Sequence, residues 1–136
     1  MIKLLTAALA CTMACAALTA DADAAAPGRG LLKGRTGQGR TIRLALHRHS
    51  VQIKRFTIEL RCRDGSILID DESGFLPTPL SASGRIRDHQ IGSTDDVWIR
   101  GRLGGNHLRG SVRVRDRVGG VRCDSRWVRF NTRLRG

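Results

Sequence analysis

The stretch VWIRGRLGGNHLRGSVRVRDRV, Val97 to Val118, decides the fold. Val97, Ile99, Gly101 and Leu103 alternate with Trp98, Arg100 and Arg102. After the turn sequence GGN, Leu108, Gly110, Val112 and Val114 alternate with Arg109, Ser111, Arg113 and Arg115. A period of two belongs to a strand, whose successive side chains point to opposite faces. Two such runs joined by Gly-Gly-Asn predict a β-hairpin with one apolar and one basic face.

The same period recurs on both sides. In TIRLALH, Ile42, Leu44 and Leu46 share a face. In FTIELRC, Phe56, Ile58, Leu60 and Cys62 share one, while Val51 and Ile53 are out of step with Phe56. That phase slip predicts a bulge near Lys54-Arg55. Asp64-Gly65 is a turn signal, SILID is a further short strand, and Gly119-Gly120 marks a second tight turn before Cys123. DESGFLPTPLSASG, with Pro77 and Pro79, reads as a long connection with Phe75-Leu76 packed back on the sheet. RWVRFNTRL closes the chain as a last strand. No long helical periodicity appears. The expectation is an all-β fold, a small antiparallel β-sandwich or partly closed barrel with one disulfide.

The first residues read as an address. Lys3 precedes an uncharged, alanine-rich run from Leu4 to Ala20, and Ala22-Asp23-Ala24 offers small residues for cleavage. This is the layout of a secretory signal peptide over residues 1–24, with no transmembrane segment left after cleavage. Residues 25–32 read as a linker and 33–136 as the domain. Cleavage leaves Cys62 and Cys123, and an even pair in an exported chain reads as a disulfide. Closing a loop of about 60 residues in this way stabilises by about 4 kcal/mol in the chain-entropy account. The expected compartment is periplasmic or secreted, and the expected state a monomer.

The 136 residues include 24 basic and 12 acidic ones, a net charge of +12, and all but three of the basic ones are arginine. Such a balance attracts polyanions. It is also what a merely solvated surface looks like when arginine is the favoured polar residue. Water requires something polar on the outer face of a half-buried strand, but not arginine each time. The candidate binding residues are therefore Trp98, Arg100, Arg102, Arg109, Arg113 and Arg115. Arginine binds phosphate, sulfate and carboxylate bidentately, and an indole stacks on rings. The expected partner is an anionic envelope polymer or an acidic protein. Nucleic acid fits less well, because sheets that bind it display several aromatics and an exported chain seldom meets it.

Other chemistry is thinly represented. His47 and His49, two apart on a strand, would point the same way and could ligate a metal. Asp70, Asp71 and Glu72 could hold calcium or act as paired carboxylates, yet lack the spacing of a calcium loop. GRTGQG precedes a strand and lacks the lysine of a phosphate-binding loop, so it reads as a flexible entry turn. No G-x-S-x-G elbow or cysteine–histidine signature supports a hydrolase. The function expected is a non-catalytic binding module with no cofactor. The alternative is a protein-binding module, such as an inhibitor of an exported enzyme, and the third reading is metal binding through the His-x-His pair.

GRTGQGRTIRLAL, CRDGS, Gly74-Phe75, IRGRLGGNHLRGSVRV and CDSRW follow one another in an order that resembles a widespread group of small exported bacterial β-sandwich proteins. The resemblance covers about residues 33–130. It implies the fold, the compartment and a Cys62–Cys123 pairing, but no reaction. The chain departs from the group's pattern at Arg126, where glycine is expected after Ser125.

Overall fold

The computed structural model describes residues 29–135, and the segment read as a signal peptide lies outside them. Ten strands run in chain order: β1 (Gly30–Thr36), β2 (Thr41–Leu46), β3 (Ser50–Cys62), β4 (Ile67–Ser73), β5 (Thr78–Pro79), β6 (Arg85–Ile91), β7 (Asp95–Gly104), β8 (His107–Val118), β9 (Val121–Asp124) and β10 (Val128–Arg135). Their pairings are all antiparallel. Among the described residues no helix is long and apolar enough to cross a membrane.

Six strands close a barrel in the order β10-β1-β2-β3-β9-β8, with β8 returning to β10. Strands β7 and β6 extend from the free edge of β8, and β4 and β5 pair with β3. Closure removes the unpaired edges that an open sheet would expose. The alternating residues read from the sequence line the interior: Leu32, Ile42, Leu44, Ile58, Leu60, Leu108, Val112 and Val114 are fully buried. Gly110 belongs to the same inward set. A Cβ there would run into the β7 backbone at the Arg100 carbonyl and Gly101 Cα, and lie 2.9 Å from the Phe130 ring, so the close approach of these strands needs glycine.

The predicted hairpin is β7–β8, with Gly101 opposite Gly110 and Gly105 at φ 58° in the turn. The predicted bulge is present: Arg43 pairs with Arg55 but Leu44 pairs with Ile53, leaving Lys54 over. That extra residue puts Val51 and Ile53 on the same inward face as Phe56. Gly119 and Gly120, at φ 57° and 80°, form the tight β8–β9 turn.

Three expectations about the linker, the long connection and its apolar pair are corrected. The segment read as a linker to residue 32 is already strand from Gly30, because Leu32 is fully buried and pairs on both sides, with Leu44 and Leu134. The stretch read as a connection from Asp71 is strand to Ser73 and again at Thr78–Pro79. Of the pair expected to pack back on the sheet, Phe75 stacks on Phe56 at 5.7 Å, but Leu76 is 72% exposed. The Leu76 backbone is held by polar contacts, through the Gln90 side-chain amide, so its own side chain is free to face water.

The barrel has one weak seam. β3 and β9 share only the pairs Arg61–Asp124 and Cys62–Cys123. The disulfide Cys62–Cys123 lies in this seam and covalently joins its two strands. Upstream, β2 stops pairing at Phe56, so part of the β3 edge has no strand beside it. Gln38 fills the gap. Its side-chain carbonyl accepts from the Glu59 N–H at 2.8 Å, and its amide donates to the Glu59 carbonyl at 3.0 Å. GRTGQG is therefore the end of β1 followed by the tight β1–β2 turn, held by hydrogen bonds. Gly39 at φ 75° donates to the Thr36 carbonyl, and the Thr36 hydroxyl accepts from Arg40 N–H.

Candidate functional site

Register places the outward side chains of β6, β7, β8 and β10 in rows across the strands. One row is Arg85, Arg102, Arg109, Asn131 and Arg35. The next is Arg87, Arg100, Ser111 and Arg129. On the other side of the first row, Arg133 stands opposite Lys33, and Lys33 opposite Arg43. The rows arise because each of these strands turns every second residue inward, mostly apolar ones on β7, β8 and β10 and Ile86, Asp88 and Gln90 on β6. Like charges directly opposite each other destabilise a sheet. Here such pairs recur, and the carboxylates lie elsewhere. Glu59 pairs with Arg40, Asp71 with Arg55, Asp96 with His89, and Asp124 with Arg113 and Arg115. Among the described residues, Arg85, Arg87, Arg100, Arg102, Arg109, Arg129 and Arg133 have no carboxylate partner.

The six candidate residues thus separate. Arg100, Arg102 and Arg109 lie on the face without a carboxylate partner among the described residues. Arg113 is engaged: its Nε and Nη2 donate to Asp124 Oδ1 and Oδ2 at 3.0 and 2.6 Å, and its side chain is only 17% exposed. Arg115 approaches the same carboxylate at 3.4 Å and lies 5.3 Å from the centre of the Trp98 ring. The Arg113 guanidinium, with the Arg126 N–H and Arg115, holds the Asp124 carboxyl down at about 2. Asp124 is ionised at neutral pH and offsets charge that the sequence pattern presented as free. Its carboxylate follows Cys123 at the seam, so nothing local to β8 announces it.

Trp98 faces outward as expected, stacked on His89 with ring centres 4.3 Å apart. Beside it lies Trp127, from the segment before β10, with the Arg100 guanidinium 4.0 Å over its ring. Arg87, Asp88, His89, Trp98, Ile99, Arg100 and Trp127 line a cleft of about 490 Å³. A shallower groove of about 380 Å³ adjoins it, lined by Arg85, Arg102 and Arg109, and the two share Arg87 and Arg100. The sequence reading singled out neither Trp127 nor Arg85, Arg87 and Arg129. The alternation in RIRDHQI was there to be read, but its inner face carries one aliphatic residue, Ile86, followed by Asp88 and Gln90. Those two are inward because Asp88 accepts from Thr78 and Gln90, and Gln90 bonds the Leu76 backbone. Polar bridging takes the place of an apolar stripe.

The other candidates are dispersed. His47 and His49 are exposed in the β2–β3 turn, so the shared strand face on which their pairing was argued does not exist. Of the acidic trio, Asp71 faces outward to Arg55 and Thr57, while Glu72 is buried with Asp70 and Asp95 beside it. Burial and those two neighbouring carboxylates push Glu72 up to about 9, which favours its protonated form at neutral pH. Among the described residues no group of three or more histidine, cysteine, aspartate or glutamate side chains is arranged to hold a metal ion. Neither models of protein families nor curated protein sequences yield a match to this chain.

Proposed function

We propose that the protein is an exported, non-catalytic module that binds an anionic polymer through the outer face of β6, β7, β8 and β10. The observation that carries this reading is the ladder of like charges, Arg85–Arg102–Arg109 beside Arg87–Arg100, none of them in an ion pair among the described residues. Such a ladder costs stability in isolation and is relieved when a polyanion lies over it. Most arginines of the described chain lack a carboxylate partner; what marks this face is that Arg85, Arg87, Arg100, Arg102 and Arg109 stand in register on three neighbouring strands. The disulfide supports the exported setting, because a reducing cytosol does not maintain such bridges. Envelope polymers with carboxylate, phosphate or sulfate groups suit guanidinium recognition.

Binding of inorganic polyphosphate across a range of salt concentrations tests the reading. Released counterions make the logarithm of affinity fall linearly with the logarithm of salt. Replacing Arg85 and Arg102 with serine flattens that slope by roughly 1 to 2 units. Replacing Arg48 and Arg63, exposed cations in turns outside the ladder, removes the same charge with less effect. Equal losses from the two double variants would leave net charge as the whole explanation and end the proposal.

A further inference from the structure

The cleft and the groove are contiguous, and they differ in chemistry. The groove is lined by five arginines, two glycines, Ile86 and Ser111, with no aromatic ring. The cleft adds two indoles, and these are the only tryptophans in the chain. A mineral polyanion such as polyphosphate has no use for an indole. A ligand that uses both halves carries a ring with an apolar face at one point and anionic groups along its length. Resting on the polyanion reading above, we propose that the cleft between Trp98 and Trp127 seats one sugar ring of a linear acidic polysaccharide. The carboxylate or sulfate groups of the flanking sugars then lie along the arginine groove.

Size, spacing and the state of the aromatics carry the argument. The cleft of about 490 Å³ falls within the range of pockets that enclose small organic ligands. Arg87 and Arg100 line both cleft and groove, so a chain entering one meets the other without a break. The rows of Arg87 and Arg85 are two residues apart along β6, about 7 Å. That distance lets successive anionic groups of one chain reach successive rows. Sugars present C–H groups on one face and hydroxyls at the edge. An indole supplies the apolar floor, and Arg87, Arg100 and His89 supply polar groups around it.

A single-stranded nucleic acid fits less well. It stacks base after base on open aromatic faces. Here only two indoles are present, each with one neighbour already on it, His89 on Trp98 and Arg100 over Trp127, which leaves room for one ring and not for a run of successive bases. Phe56, Phe75 and Phe130 are all in the core, and the chain has no tyrosine. The surface offers one ring site beside a run of cations, as a polysaccharide requires.

The position of the two tryptophans supplies the assay, since intrinsic fluorescence reports on the cleft alone. The disulfide-bonded protein is titrated with a size-defined oligogalacturonate, with polyphosphate of equal charge and with oligothymidylate of equal charge. The expected result is saturable binding of the oligogalacturonate with a shift in tryptophan emission, while polyphosphate binds with little shift. Trp127→Ala weakens the oligogalacturonate about tenfold and polyphosphate less than about twofold, and Trp127→Phe, which keeps a ring, restores most of the loss. Trp127 is 39% exposed, and unchanged melting of both variants shows that the fold is intact. If polyphosphate binds but Trp127→Ala weakens both ligands alike or neither, the sugar cleft is overturned and the arginine face stands. If neither ligand binds, both proposals fall. If oligothymidylate binds tightest and is the ligand sensitive to Trp127→Ala, the occupant is nucleic acid and the sugar proposal is overturned.

Discussion

Replacing Arg126 with glycine should make the protein more stable, although it deletes a side chain and adds backbone freedom. Arg126 is the only described non-glycine residue with positive φ, at 58°. In the left-handed region an L-residue with a Cβ costs about 1–2 kcal/mol relative to glycine. The turn is held by backbone groups of that residue. Its N–H donates to Asp124 Oδ1 at 2.8 Å, and its carbonyl accepts from the Ser125 hydroxyl at 2.8 Å. Glycine keeps both bonds. Against the relieved strain stands the greater freedom of glycine in the unfolded chain, about 0.4–1 kcal/mol. The net expectation is a gain of about 0.5–1 kcal/mol, which for a domain of this size raises the melting temperature by roughly 2–6 °C. Arg126→Ala is the comparator, because it removes the same charge but keeps the Cβ. Calorimetric melts of the three proteins, with the disulfide intact, decide the matter. The glycine variant should melt highest, with alanine close to the parent. A glycine variant melting at or below the alanine one would falsify the claim that the backbone at this position is strained.

Two further expectations follow from polar groups in the fold. Gln38→Ala removes both hydrogen bonds to the Glu59 backbone and leaves that stretch of β3 unpaired, so urea unfolding should show a loss of about 2–3 kcal/mol; a loss below about 0.5 kcal/mol would mean that water fills the gap equally well. Glu72 has a raised folded-state pKa, so the stability it lends is complete below its unfolded value near 4.3 and is lost as pH rises towards about 9. Comparing the stability of the parent with that of Glu72→Gln across this range should reveal a difference that moves against the parent as pH rises. A difference that stays flat would show that Glu72 is ionised in the folded protein.

The left-handed turn at Arg126 also shows how far a pattern reading reaches. The departure from glycine after Ser125 was visible in the sequence, and it coincides with the described non-glycine residue whose backbone adopts a glycine conformation. The chain compensates with local hydrogen bonds from Asp124 and Ser125, both adjacent in sequence. Their side chains give no sign of that duty until the turn is seen. The candidate surface divides in the same way. Trp98, Arg100, Arg102 and Arg109 were legible because they lie on one hairpin, where alternation alone fixes the outward face. Arg113 lies on that hairpin too, but its charge is taken up by a residue on β9.

By itself the sequence determined what depends on neighbours along the chain. Strand period, tight glycine turns, the bulge at Lys54 and the inward identity of Ile42, Leu44, Phe56, Ile58, Val112 and Val114 are local consequences of pleat and phase. A single pair of cysteines in the domain likewise left one partner for each. Tertiary structure alone decided how the sheet closes, because β8 must divide one edge between β10 and β9 and still pair with β7 on the other. Closure opens the gap that Gln38 fills, brings Asp124 to Arg113 and sets Trp127 beside Trp98. Each of these contacts joins residues from separate strands or turns. Side-chain alternation fixes which face a residue occupies; only the pairing order fixes what stands next to it.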